Sequence, residues 1–311
     1  PGLDRMKTVL QRMLDAGYIN EPEDETALNY DIVADFKETS ESPIDSYPAL
    51  TYELQERAKD ILMVMLAEEA GYTKDDLDNN SELRNQYRII ADRDLRRNGY
   101  NIHSTIDKDI YDAQQEVVKN YEYFGPDRTT KDGKVEPIQT GGMLIENQTG
   151  RIISFVGGRE FSEENQLNYA TNAVRPNGST MKPLLDYAPA MEKGIVQPGT
   201  PIADVPLEFQ FAGMPEPWAP KNYGGGNYGL VSARTALANS YNIPAAKTYM
   251  QIIHDNPAKE YLEKMGFTSL QEVDYSIYAL SLGAMTKGVT VEENTNAFAT
   301  FGNSGMFADA Y

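Results

Sequence analysis

Ser179-Thr180-Met181-Lys182-Pro183 is the stretch on which the reading of this chain turns. A serine and a lysine three positions apart share one face of a helix, with side-chain origins about 5–6 Å apart. An amine then lies beside a hydroxyl, which is what a weak nucleophile needs in order to attack a carbonyl. Alone, the tetrapeptide also fits an ordinary helix start with a serine cap and a solvated lysine. It is the one S-x-x-K in the 311 residues, about the number chance would supply, so its flanks carry the decision.

Upstream stand Gly157-Gly158-Arg159, then Asn168-Tyr169-Ala170-Thr171, then Arg175-Pro176-Asn177-Gly178. Downstream come Trp218-Ala219-Pro220-Lys221-Asn222-Tyr223 and Tyr228-Gly229. The run Arg234-Thr235-Ala236-Leu237-Ala238-Asn239-Ser240-Tyr241-Asn242-Ile243-Pro244-Ala245 follows them. S-x-x-K followed by S-x-N, in these flanks, resembles the class A penicillin-binding proteins, the bifunctional cell-wall synthases, over nearly the whole chain. S-x-x-K is a named active-site motif of that superfamily, together with a K-T-G element.

The resemblance implies an α+β fold of the penicillin-binding-protein and serine β-lactamase type, an antiparallel sheet with helices on both sides, preceded by a small mixed linker domain. It implies that Ser179 is the acylated nucleophile and Lys182 its base, with Ser240 bridging Lys182 to the leaving amine. Asn242 would bind Lys182 and the amide of the substrate's acyl side chain, and Trp218 would wall the groove, although core packing is a rival role for it. An ordinary lysine, with a pKa near 10.4, is protonated at neutral pH. A base at 182 must therefore be desolvated or sit near other cations. The alternative is a charged Lys182 that relays protons in concert with Ser240. Serine and asparagine two apart point the same way only in a loop or extended turn, and Pro244 suits a break in the helix.

Composition narrows the function classes. The net charge is −19, and by count residues 1–137 carry −13 and 138–311 carry −6. Such acidity argues against a nucleic-acid or anionic-membrane surface. The absence of cysteine excludes a disulfide framework, thiolate catalysis and cysteine-based zinc sites. His103 and His254 sit in no recognisable motif, so neither a metal nor another cofactor is expected. The longest apolar run, Ile61-Leu62-Met63-Val64-Met65-Leu66-Ala67, is too short to span a bilayer. No signal peptide is evident.

Along the chain, Leu3, Met6, Val9, Leu10, Met13 and Leu14 recur at helical spacing up to Gly17. The phrase from Leu10 to Ile19 resembles the tail of a class A glycosyltransferase domain. Residues 20–46 read as an acidic connector with a short helix, and Pro48 to Ala70 as a second helix. Asp75-Asp76-Leu77-Asp78-Asn79-Asn80 reads as a solvated turn, because a calcium loop would need a glycine and a glutamate that are not at the right offsets. Tyr100 to Asp107 alternates like a strand, and Asp107 can cap the amphipathic helix that follows. Gly141–Glu146 and Ile152–Gly158 around Asn147-Gln148-Thr149-Gly150 make a β-hairpin. After Lys182 a helix runs to Gly194 and a Pro/Gly/aromatic loop to about Gly229. Helices then follow at about 230–242, 244–254, 257–265 and 290–301. The expected domains are a glycosyltransferase tail and connector at 1–45, a linker domain at 46–136 and a transpeptidase domain at 137–311.

K-T-G is missing: Lys7-Thr8-Val9, Lys247-Thr248-Tyr249 and Thr286-Lys287-Gly288 do not fit it. The expectation is a chain whose third motif lies beyond Tyr311, whose membrane anchor lies upstream, and which is inactive alone. The function implied is D,D-transpeptidation of peptidoglycan stem peptides, with acylation by β-lactams, at the extracytoplasmic face of a bacterial membrane. Other cell-wall synthesis proteins are possible partners. A D,D-carboxypeptidase or serine β-lactamase of the same fold, and a non-catalytic cell-wall-binding scaffold, are the competing readings.

Overall fold

A computed structural model of the chain describes residues 2–35, 43–162, 165–210 and 216–311. The 36–42 part of the expected connector lies outside the described residues, as does the 211–215 part of the loop before Gly229. Two compact units divide at Tyr47/Pro48.

In the first unit, α1 (Gly2–Asp15) ends at Gly17, where Tyr18 N–H reaches back to Met13 O (2.9 Å). Helix α2 (Glu21–Asn29) starts at a reciprocal cap: Asn20 Oδ1 accepts from Glu23 N–H, and Glu23 accepts from Asn20 N–H. A single turn, α3 (Pro43–Ser46), closes the unit.

The second unit opens with α4 (Pro48–Glu69), α5 (Lys74–Asn79) and α6 (Ser81–Arg97). Leu62, Met63, Ala67, Leu77, Tyr87 and Ala91 form their shared core. The expected acidic turn at 75–80 is instead a helix, because Thr73 and Asp76 cap it reciprocally, which offsets the poor helix propensity of aspartate and asparagine. Asp107 caps α7 (Lys108–Asn120) as its position suggests, its carboxylate accepting from Ile110 N–H. Residues 101–106 form no strand. Thr105 Oγ1 donates to Ile152 O (2.6 Å) and Asp107 N–H to Ile153 O (2.8 Å), so the segment is fastened at one end without a ladder.

Three antiparallel two-stranded ladders are present among the described residues. They pair β1 (Arg128–Thr129) with β2 (Val135–Glu136), β3 (Gly142–Ile145) with β4 (Ile152–Val156), and β5 (Pro201–Asp204) with β6 (Gly229–Ser232). The β3–β4 pair is the expected hairpin, with α7 against β4 and α11 (Val291–Gly302) against β3. β5 lies inside what reads as loop. β6 occupies the start of the expected 230–242 helix, which is confined to α9 (Ala233–Ala238), capped by Ser232. Short helices α8 (Ala188–Glu192) and α10 (Asn242–Met250) complete the set. Pro244 lies in the first turn of α10, where a missing N–H costs nothing.

The main core gathers around Met181, Leu184, Leu185, Tyr249, Ile252 and Leu280. Two contacts place the 175–180 turn on a later segment. Arg175 and Val289 exchange backbone hydrogen bonds, and Gly283 approaches so closely that a Cβ there would lie 2.3 Å from Gly178 N. With φ at 78°, position 283 also has the backbone form that favours glycine.

Asp186 is fully buried in this core, and among the described residues neither of its carboxylate oxygens has a hydrogen-bond partner. Burial pushes its carboxyl well above the usual range, against the opposing pull of Lys182. A carboxyl whose folded pKa is raised contributes most to stability below its unfolded pKa, and that contribution is lost as pH rises. Asp186→Asn removes this loss. Its melting temperature is therefore expected to gain on wild type between pH 4 and pH 7, each unit of pKa difference counting for about 1.4 kcal/mol. A gap between the two proteins that does not change with pH would contradict an unpaired, desolvated carboxyl.

Candidate active site

The S-x-x-K stretch is not one regular helix. Gly178–Thr180 forms a 3₁₀ turn, and Lys182–Tyr187 widens into a π-helical turn in which Ala188 N–H reaches Pro183 O. Pro183 has no N–H to complete an α-helical ladder, and single π turns are frequent at functional sites. Ser179 is exposed at the mouth of this segment, while Lys182 is fully buried.

Lys182 Nζ is held from the other side by the S-x-N stretch. It donates to Ser240 O (2.6 Å), Ser240 Oγ (3.0 Å) and Asn242 Oδ1 (2.6 Å). Three acceptors match the three protons of an ammonium. The carbonyl and the amide oxygen can only accept. When the amine is neutral, its lone pair is therefore left to face Ser240 Oγ, which can turn its proton inward. Burial lowers Lys182 from its ordinary value to about 8, outweighing the opposing attraction of Asp186. No hydrogen bond joins Lys182 to Ser179 among the described residues, so the direct contact suggested by their spacing is not made in this state.

The S-x-N stretch breaks the helical path as its spacing requires, with Ser240 and Tyr241 between α9 and α10 and Asn242 as the first residue of α10. Ser240 follows α9 with φ at 55°, and its N–H and that of Tyr241 return to Leu237 O (3.0 Å) and Ala236 O (2.9 Å). A non-glycine residue in the left-handed region is held there at a cost of about 1–2 kcal/mol. This conformation presents both oxygens of Ser240 to Lys182. Tyr241 is extended, and its ring stacks on Tyr228 at 4.3 Å between centroids.

Asn242 is fixed by groups that the two motifs do not include. Its Nδ2 donates to Lys221 O (2.7 Å), and its backbone N–H donates to Asn222 Oδ1 (2.8 Å), which also accepts from Ile243 N–H (3.2 Å). Asn222 Nδ2 in turn donates to both carboxylate oxygens of Asp204 (2.9 Å each) and to Gly226 O (2.9 Å). Asp204 also accepts Tyr228 N–H (2.9 Å). Asn222 and Asp204 are both buried, so each hydrogen bond is made in a poorly screened setting. Asn222 is visible in the sequence only as part of Lys221-Asn222-Tyr223. Asp204 carries no motif at all.

The structure thus brings Lys182, Ser240 and Asn242 together, with Ser179 on the adjoining turn. Trp218 is held in a separate aromatic group. It exchanges backbone hydrogen bonds with Phe209 (2.9 Å each), and its ring lies 6.1 Å from that of Tyr278. Its link to the site is through the chain, three residues before Lys221. His103 and His254 have no place in this constellation. No group of three or more histidine, aspartate or glutamate side chains could hold a metal ion among the described residues.

Comparison with known proteins gives this geometry its setting. Residues 140–309 match the penicillin binding protein transpeptidase domain. Penicillin-binding protein 4 of Bacillus subtilis is 36% identical over 174 residues, which are 56% of this chain and 26% of that protein. Penicillin-binding protein 1A of Clostridium botulinum is 28% identical over 319 residues, covering 99% of this chain and 35% of the relative. This chain thus spans about a third or less of the length of these relatives. Among solved structures, penicillin-binding protein 1A of Haemophilus influenzae aligns with a TM-score of 0.56 at 21% identity, over 99% of this chain and 53% of that one. The chain belongs to the penicillin-binding protein transpeptidase family.

Proposed function

We propose that this chain is the peptidoglycan D,D-transpeptidase portion of a class A penicillin-binding protein. The observation that carries the proposal is the buried Lys182 amine held between Ser240 and Asn242 beside an exposed Ser179. Family membership supports the same reading. Residues 137–311 would be the catalytic domain and 46–136 the linker domain. Residues 1–45 would be the C-terminal tail of a glycosyltransferase domain and the connector. The whole protein would act at the extracytoplasmic face of a bacterial membrane, anchored by a segment outside residues 1–311, with other cell-wall synthesis proteins as possible partners. No helix among the described residues is long and apolar enough to cross a membrane.

In the proposed reaction Ser179 Oγ attacks the carbonyl carbon of the penultimate D-Ala of a stem peptide. The Ser179 proton passes to the Lys182–Ser240 pair, and from Ser240 to the departing amine as the C–N bond breaks and D-Ala leaves. The acyl-enzyme is then opened by an amine from a neighbouring stem peptide, which restores Ser179. A β-lactam offers the same amide carbonyl, but its opened ring stays attached and blocks the acceptor. Asn242 Nδ2 has one proton bonded to Lys221 O and a second left for the substrate's acyl amide. Asn222 and Asp204 would act through Asn242, as positioning residues.

Four outcomes test this reading. Ser179→Ala in the intact protein is expected to show no mass increase after penicillin treatment while melting near the wild-type temperature; an adduct on that variant refutes the nucleophile. Acylation of wild type is expected to accelerate as pH rises through about 8, because the neutral fraction of Lys182 grows there. Lys182→Ala should lower the acylation rate about 100- to 10,000-fold, with a smaller effect on the initial complex. Wild-type kinetics in that variant would move the base elsewhere. D-Ala release that depends on an added acceptor amine separates the transpeptidase from a carboxypeptidase.

A further inference from the structure

Ser179 lies in a turn whose outer side is held by helix α11. Asn294 Oδ1 accepts from Asn177 Nδ2 (3.0 Å) and from Thr180 Oγ1 (3.3 Å), the residues that bracket Gly178 and Ser179. Thr180 Oγ1 also lies 2.8 Å from Asn177 O, so one acceptor on α11 and one carbonyl within the turn share its single proton. Nothing else on α11 hydrogen-bonds to this turn among the described residues. Asn294 is half-buried, where a hydrogen bond is less exposed to competition from water.

The first turn of α11 is itself fastened to α4. Glu292 accepts from Arg57, and its N–H donates to Ala170 O (3.0 Å). Arg57 Nε donates to Glu53 Oε1 (2.9 Å). Glu53 Oε2 accepts from Asn168 Nδ2 (2.8 Å) and Thr171 Oγ1 (3.0 Å). Glu53 is buried. Two carboxylates thus flank one guanidinium, and the Glu53 carboxylate and the Glu292 backbone N–H are also tied to the 168–171 segment that leads into the Ser179 turn. Removing the guanidinium would leave one buried and one half-buried carboxylate without a counter-charge.

We propose that Asn294 is a positioning residue for Ser179, and that the Glu53–Arg57–Glu292 chain fixes Asn294 relative to helix α4. This rests on reading Ser179 as the nucleophile. An attacking oxygen must sit about 3–3.5 Å from the carbonyl carbon, and small displacements of it are costly in rate. Asn294 holds the side chains of Asn177 and Thr180, one on each side of Ser179. Helix α4, which belongs to the proposed linker domain, thereby takes part in setting the acylation rate.

The test is the time course of acylation of the intact protein by a fluorescent penicillin, resolved into an initial-complex constant and an acylation rate per titrated site. Asn294→Leu keeps the size and loses the acceptor; Asn294→Asp keeps the acceptor. N294L is expected to acylate about 10-fold more slowly with its initial-complex constant within about twofold of wild type, and N294D to stay within about threefold in rate. Glu292→Leu is expected to slow acylation about threefold, and E292L/N294L to be no slower than N294L, since both act through one contact. A wild-type rate for N294L, or an N294D as slow as N294L, overturns the positioning role. Multiplying effects in the double variant overturn the tie to α4. If N294L does not fold, Asn294→Ser, too short to reach Asn177, is read against the same expectations. Labelling that persists in Ser179→Ala condemns the nucleophile assignment instead, so the two failures are distinguishable.

Discussion

The site is organised around one buried lysine amine and the three oxygens that receive it. Lys182 Nζ has lost its water and gained Ser240 O, Ser240 Oγ and Asn242 Oδ1. An amine in that position must be matched closely, because an unpaired charge there costs far more than a hydrogen bond returns. That requirement accounts for much of the surrounding construction. Ser240 takes a left-handed backbone so that two of its oxygens point at one nitrogen. Asn242 is clamped from behind by Asn222 and Lys221, and Asn222 by Asp204. The 178–180 turn, which sets where Ser179 stands relative to that amine, rests on Gly283 and Asn294.

The electrostatics of Lys182 and Asp186 point the same way. Burial lowers the lysine and raises the carboxyl, and in each case it outweighs the attraction of the other partner. Mutual attraction would have shifted both in the opposite senses, so this is not a salt bridge in the ordinary sense. Burial moves each group toward its neutral form. A neutral Asp186 leaves Lys182 without a counter-charge, and an amine without a counter-charge more readily gives up its proton. The chain therefore supplies a lysine that can act near neutral pH without a nearby cation to depress it.

Much of this was legible in the sequence where local chemistry decides structure. Asp107 before an amphipathic run is a cap, and Asn147-Gln148-Thr149-Gly150 between apolar runs turns a hairpin. Ser240-Tyr241-Asn242 must interrupt the helix for its polar groups to converge, and Ser240 and Tyr241 do so between α9 and α10, with Asn242 opening α10. Readings failed where neighbours override the pattern. Residues 100–106 alternate like a strand but form no ladder, being fastened to β4 only at Thr105 and Asp107. Asp75–Asn80 looks like a turn by composition, yet one reciprocal cap at Thr73 is enough to make it helical. β5 and β6 are each four residues long, and each depends on a partner some 28 residues distant in the chain for its ladder. The positioning groups Asn222, Asp204 and Asn294 have no periodicity or spacing to reveal them. Their meaning lies in what they touch, and those contacts exist only after folding.

Acylation of Ser179 in this site depends on the state of the Lys182 amine. Its titration can be followed directly by NMR of the intact protein labelled with ¹³C at lysine Cε, with Lys182→Met to assign the signal. A desolvated amine held by Ser240 and Asn242 titrates with a midpoint of about 8. A midpoint near 10.4, the value of a solvated lysine, would contradict it.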